Sequence, residues 1–261
     1  MRALAVVLCI LWLPAADPLP ECGMRNAECG VAEDRSIPLA RPSARRLADT
    51  FRTPHSAFRI GSSTLTIGRL HYDGGGDWYA GPSALPNLLA ALRQRTALSV
   101  TERERVVTLT GPELWDVPYL FMTGHGNVRF SDEEVKQLRR WLEQGGFLHA
   151  DDDYGMDKSF RREIARVFPD HPLVEVPLSH PIYHLVYDFP RGIPKIHEHD
   201  GLPAQGFGIF LGNRLVVYYS YQTDLGDGWE DPEVHHDPPE LHEAALRMGV
   251  NLFTYAVSAT R

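Results

Sequence analysis

Hydrophobic and polar positions fall into a regular pattern only from about residue 65 onward. Leu65, Ile67, Leu70 and Tyr72 predict a first strand, which runs into the turn-forming stretch DGGGDWY at 73–79. Leu85, Leu88, Leu89 and Leu92 recur at helical spacing and predict a helix over 83–94. RVVTL at 105–109 reads as a second strand. PYLFM at 118–122 is a nearly continuous apolar run, the pattern of a strand covered on both faces, and it stops at TGHG. Ser131 followed three residues later by Glu134 is a capping box. It opens a helix with Val135, Leu138, Trp141 and Leu142 on one side, closed by Gly145 and Gly146. FLHA at 147–150 is the next strand, running into Asp151, Asp152 and Asp153. Strand, helix and strand joined by short turns predict a parallel βαβ unit with a right-handed crossover. A further helix is expected over 158–167, then a Pro- and His-rich irregular stretch over 169–205. A hairpin of 207–210 with 215–221 turns around Gly212-Asn213, and a closing helix covers 239–256. The sum is an α/β domain of three layers, with a mostly parallel sheet and a late antiparallel hairpin.

The first 58 residues lack this pattern. Met1-Arg2 precedes an apolar run, ALAVVLCILWL at 3–13, with Ala15-Ala16 behind it, the layout of an export signal. The run is shorter than the ~20 residues that span a bilayer. The expected organisation is a signal peptide at 1–16, a flexible segment at 17–58 and the α/β domain at 59–261, with a periplasmic or secreted product lacking a transmembrane helix. The three cysteines are Cys9, Cys22 and Cys29. Cys22 and Cys29 would remain after cleavage and are close enough in sequence for a small disulfide loop. Residues 30–261 contain no cysteine, which removes cysteine nucleophiles and cysteine-ligated zinc from the folded domain. With 34 acidic and 26 basic residues the formal net charge is −8, which argues against a nucleic-acid partner.

In open α/β sheets ligands bind beyond the carboxyl ends of the strands. Four polar clusters fall at such ends: DGGGDWY at 73–79, TGHGN at 123–127, HADDDYG at 149–155 and TDLGDGWE at 223–230. Carboxylates and imidazoles can hold metal or move protons, and tryptophan offers a stacking face for a sugar. His125, Asp151 and Asp152 are the candidate catalytic residues. Asp73, Asp77, Trp78, His125, Asp153, Asp224, Asp227 and Trp229 are the candidate ligand contacts. The competing view is that these residues only turn the chain and cap helices. The twelve histidines include His171, His180, His184, His197 and His199 in the irregular stretch, and His235-His236-Asp237 in a Pro-flanked one. No HExxH and no GxSxG is present, so no metal ligand set is assigned and a serine hydrolase is disfavoured. No cofactor is predicted, and a divalent cation is the one that the acids would admit.

The segments IGRLHYDGGGDWY, PELWDVPYLFMTGHG, SDEEVKQLRRWLEQGGFLHADDDYG, SHPIYH, FGIFLGNRLVVYYSYQTDLGDGWED and ALRMGVNLFTYA, in that order, resemble a bacterial domain-of-unknown-function family catalogued under number 4159. The likeness covers about residues 60–257. That family looks like a branch of the class I glutamine-amidotransferase-like superfamily, so the resemblance implies a flavodoxin-like sandwich. It also implies that Asp151 or Asp152 occupies the turn where the superfamily's amidotransferases carry their cysteine, which excludes a glutamine amidotransferase. Related members of that family often belong to larger envelope proteins, so the resemblance implies work at the cell envelope. The expected function is a binding or assembly module with a polar cleft, its partner an envelope protein or a polar small molecule such as a sugar. The alternatives are a carboxylate- and histidine-based hydrolase, with or without a divalent cation, and a purely structural role.

Overall fold

Each predicted strand pairs with another in a single seven-stranded sheet in the computed structural model, which describes residues 64–259. The expected export segment, Cys22 and Cys29 lie outside those residues. The strands are β1 (Ile67–Leu70), β2 (Arg105–Val107), β3 (Tyr119–Met122), β4 (Phe147–Asp151), β5 (Val174–Glu175), β6 (Gln205–Leu211) and β7 (Arg214–Tyr221), and their spatial order is β2-β1-β3-β4-β7-β6-β5. β2, β1, β3, β4 and β7 run parallel, while β6 is antiparallel to both β7 and β5. The order reverses between β1 and β3, which makes a crevice at their carboxyl ends.

Helices cover both faces. α1 (Ala84–Arg95) and α5 (Pro239–Ser258) pack on one, where Leu85, Leu88, Leu252 and Phe253 meet Ile67, Tyr119 and Phe121. α2 (Asp132–Glu143) and α3 (Asp157–Val167) pack on the other, where Leu138, Trp141 and Phe160 meet Leu120, Met122 and Leu148. Both sides of β3 are therefore buried, which is why its sequence is apolar without alternation. The capping box forms as expected. Ser131 Oγ accepts from the Glu134 amide and the Glu134 carboxylate accepts from the Ser131 amide at 2.7 Å. At the end of α2, a side chain on Gly146 would run into the Trp141 ring 2.3 Å away, so only glycine fits there.

Two expectations change. The stretch 169–205 is not wholly irregular: it contributes β5 at the sheet edge and a 3-10 turn at Pro181–Tyr183. It is also held at two points. Buried Asn251 of α5 accepts from the Val186 and Tyr187 amides and donates to the Ile182 and Tyr187 carbonyls. Further on, the Thr223 carbonyl accepts from the Ile196 and His197 amides. In addition, a short helix α4 (Pro232–His235) follows β7, started by a proline at its first turn.

A polar chain crosses the core beneath the carboxyl ends. Tyr119 Oη lies 2.8 Å from His149 Nδ1, His149 Nε2 lies 2.8 Å from Ser220 Oγ, and Ser220 donates to Asp151. Burial pushes His149 down to about 3, so it is neutral in the folded chain. An unfolded chain takes that proton near pH 6.5, so His149 favours folding fully above 6.5 and its contribution is lost as pH falls toward 3. Between pH 6.5 and 4 the loss is on the order of 3 kcal/mol. His149→Gln is therefore expected to melt with a weaker acid dependence than wild type over that range. Parallel melting curves for the two proteins would show that His149 carries no such cost.

Candidate functional site

The loops after β1 and β3 are zipped together. The Gly76 amide donates to the Asn127 carbonyl at 3.0 Å, and the Arg129 amide to the Asp73 carbonyl at 2.7 Å. Gly124 has φ +134°, and a side chain there would meet Tyr72 Oη at 2.6 Å and Asp77 Oδ1 at 2.9 Å. This close approach sets Asp77 against His125. The Asp77 carboxylate accepts from the His125 amide and lies 3.1 Å from His125 Nδ1. Burial works to raise Asp77, but the two hydrogen bonds from His125 outweigh it and hold the carboxyl below its ordinary range. The His125 side chain is 57% exposed.

Of the three consecutive aspartates at the end of β4, Asp151 and Asp152 face opposite sides, as successive residues of an extended chain do, and Asp153 lies beyond the strand end. Asp151 is fully buried on the α5 side, where it accepts from the Ser220 hydroxyl, from the Gly226 amide at 2.6 Å and from the Leu225 amide at 3.3 Å. Burial raises it to about 8. Asp152 is buried on the α3 side and accepts from the Met156 amide at 3.0 Å, at the start of that helix. Burial also raises Asp152 above the ordinary carboxylate range. Neither stands on a sharp left-handed turn: the non-glycine residues with positive φ near these loops are Tyr154, Gln222 and Asp224.

Asp153 faces the crevice. It lies 3.6 Å from His125 Nδ1 and shares a hydrogen bond with Asp227. Burial, and then the charges of Asp227, Asp151 and Asp224, push it up to about 9, so it holds a proton at neutral pH. Asp224 is 1% exposed with φ +53°. Its Oδ2 takes His197 Nδ1 at 3.2 Å and also His199 Nε2, while its Oδ1 is buried with no hydrogen-bond partner. Asp227 Oδ2 lies 3.5 Å from His197 Nδ1 and 3.7 Å from His235 Nε2. Burial works to raise Asp227, but the bond from His197 and the charge of His235 hold it low. His197 Nε2 is fixed by Asp237 Oδ1 at 3.0 Å. The hydrogen bonds to Asp224 and Asp227 raise His197 to about 11.

Two groups of donor atoms result. Oxygens of Asp153, Asp224 and Asp227 lie within 4.8 Å of one another, and so do one atom each of His197, Asp227 and His235. Of the sequence candidates, Asp153, Asp224 and Asp227 are brought together, with His125 and Asp77 adjoining through Asp153. Asp151 lies beneath them. Trp229 is fully buried, donates to the Ala245 carbonyl at 2.8 Å, and leaves no face open for stacking. Trp78 is stacked on His71 at 4.2 Å. Asp73 lines a cavity of about 800 Å³ with Arg129, Asp132, Arg162 and Arg166.

His197, His199, His235 and Asp237 were not assigned from the sequence. One signal was available: His197 and His199 are two apart, so an extended chain directs both imidazoles to one side. His184, by contrast, pairs with Asp188 and the Leu178 carbonyl.

Comparison with known proteins adds a family but no activity. The model of the family described as Domain of unknown function (DUF4159) matches residues 66–257. No curated protein matches the chain significantly.

Asp151 ties the 223–230 loop to β4, so its removal should be felt through folding. Asp151→Ala leaves the Gly226 and Leu225 amides without their acceptor and is expected to cost about 3 kcal/mol. Asp151→Asn keeps an acceptor and a donor there and should cost under ~1 kcal/mol at neutral pH. Equal losses in urea unfolding for the two variants would refute the tether.

Proposed function

Taking as premise that the chain belongs to the Domain of unknown function (DUF4159) family, we propose that its domain is a divalent-cation-dependent hydrolase centred at the carboxyl edge of the parallel sheet. Asp224 carries the proposal. A buried carboxylate oxygen without a donor costs folding free energy on the order of 1–3 kcal/mol or more. The cost is recovered when a cation supplies the missing partner. Asp153, Asp224 and Asp227, with His197 and His235, would hold that cation. A cation so held acidifies bound water and polarises a substrate oxygen.

The protein's own groups supply the rest. Asp77 fixes the His125 ring through Nδ1 and directs Nε2 outward, the arrangement of an oriented general base or acid. Asp237 orients His197 in the same way from behind. Gly226 and Leu225 anchor the loop bearing Asp224 and Asp227 through Asp151. Thiol chemistry is not available to this site, since residues 30–261 contain no cysteine.

Two finer readings accompany this one. The parallel order β2-β1-β3-β4-β7 supports descent from the class I glutamine-amidotransferase-like superfamily, with the glutaminase lost. The apolar run at 3–13 supports export and work at the cell envelope, in the periplasm or outside the cell. A second functional reading is a non-catalytic module binding an envelope protein or a sugar. It is favoured by the 800 Å³ cavity, whose lining includes none of the clustered acids.

Chelator-treated protein is expected to gain roughly 5–10 °C in melting temperature with at least one of Mg²⁺, Ca²⁺, Mn²⁺ or Zn²⁺ at ~100 times its Kd. Asp224→Asn should abolish most of that gain. No shift with any of the four ions would overturn the proposal. Separately, His125→Gln is expected to lower cation-dependent hydrolysis of chromogenic phosphate, carboxylate-ester or glycoside substrates by about 100-fold. Its cation-induced stabilisation should be unchanged. Wild-type protein that binds a cation yet turns over none of these substrates would favour the binding module.

A further inference from the structure

The two donor groups share one residue, and this goes further than the presence of a cation. Asp227 belongs both to the all-oxygen set with Asp153 and Asp224 and to the nitrogen-rich set with His197 and His235. A carboxylate has two oxygens and can serve two ions at once. We propose that the domain holds two divalent cations side by side, bridged by Asp227, one in an oxygen site and one in a histidine site. The proposal rests on the cation-binding reading above and adds number, placement and selectivity to it.

The surroundings of each site agree with the division. The oxygen site has Asp224 Oδ1, buried and without a partner, on a carboxylate gathered with those of Asp153 and Asp227. Carboxylate oxygens alone suit hard ions such as Mg²⁺ and Mn²⁺. In the histidine site, His197 Nδ1 lies between Asp224 at 3.2 Å and Asp227 at 3.5 Å while Asp237 takes Nε2, so the ring is oriented by a carboxylate as metal-binding histidines commonly are. His235 Nε2 lies 2.9 Å from Glu230 Oε2, which brings a second carboxylate to that side. Glu230 is 6% exposed, and its other oxygen accepts from Ser83 Oγ at 3.1 Å. Two imidazoles with carboxylates suit Zn²⁺ or Mn²⁺ over Mg²⁺. Paired cations bridged by a carboxylate clamp an oxyanion between them, so the substrate class that fits is one presenting phosphoryl or carboxyl oxygens.

Metal stoichiometry tests this on the full chain, by calorimetric titration of chelator-treated protein and by elemental analysis after dialysis. Wild type is expected to take two equivalents of Mn²⁺, with an electron paramagnetic resonance spectrum that changes from isolated to exchange-coupled Mn²⁺ as the second ion enters. The double variant His197→Ala/His235→Ala should retain one equivalent and lose Zn²⁺ binding. Asp153→Asn should retain one equivalent, with Zn²⁺ affinity largely kept. Asp227→Asn should lose both. Circular dichroism melting confirms that each variant is folded, and His235→Ala, at a partly exposed position, serves alone if the double variant is not.

One equivalent in wild type, weakened alike by the histidine and aspartate variants, overturns the paired arrangement and leaves a single-cation site standing. No binding of any ion overturns both. Two equivalents without exchange coupling place the ions apart and overturn the bridge.

Discussion

Carboxylates repel one another, and this domain packs four of them, Asp151, Asp153, Asp224 and Asp227, beneath or beside one crevice. Much of the structure around the crevice can be understood as what makes that packing tolerable. Asp151 is satisfied by two amides and a hydroxyl. Asp153 stays protonated and shares its proton's hydrogen bond with Asp227. Asp227 and Asp224 lean on His197, which is charged in return. Asp224, like Gln222 two residues before it, keeps a buried oxygen without a partner, and the backbone carrying it is twisted into the left-handed region. Strain and an unmet polar group at one residue are costs that a fold retains at positions of function.

The supports of this arrangement come from parts of the chain that are far apart. The sheet supplies the platform, with the crossing between β1 and β3 opening the crevice. The buried chain from Tyr119 through His149 and Ser220 to Asp151 fixes the floor. The stretch 176–204 crosses from β5 to β6, is pinned by Asn251 on the way, and delivers His197 and His199 where Thr223 receives it. α4 brings His235.

How much of this could be read beforehand follows from the range of each interaction. Apolar periodicity and caps are local, so the βαβ unit, the capping box at Ser131 and Glu134, and the hairpin at Gly212 were legible. The gathering of the loops after β1, β3, β4 and β7 was legible, because a parallel sheet collects them on one edge. The division of Asp151, Asp152 and Asp153 among three tasks was not, since it depends on which side of β4 each faces at the point where the strand stops. Trp229 looked like a stacking surface for the same reason that it is a core residue: it is large and flat, and only the packing of α5 decides between the two. The histidines were visible and unassignable, because the contact of His197 with Asp224 spans 27 positions and depends on Asn251 and Thr223, which carry no chemical signature.

That delivery by a single excursion has a bearing on how such domains diversify. His197 and His199 ride on a segment that joins two edge strands, whereas Asp153, Asp224 and Asp227 sit on the termini of the central ones. If the domain holds the paired cations proposed above, a descendant that trimmed the excursion would keep its central sheet and its acids and change mainly in which ion it prefers, drifting from nitrogen-seeking metals toward the alkaline earths. Selectivity and architecture would then be inherited on separate pieces of chain.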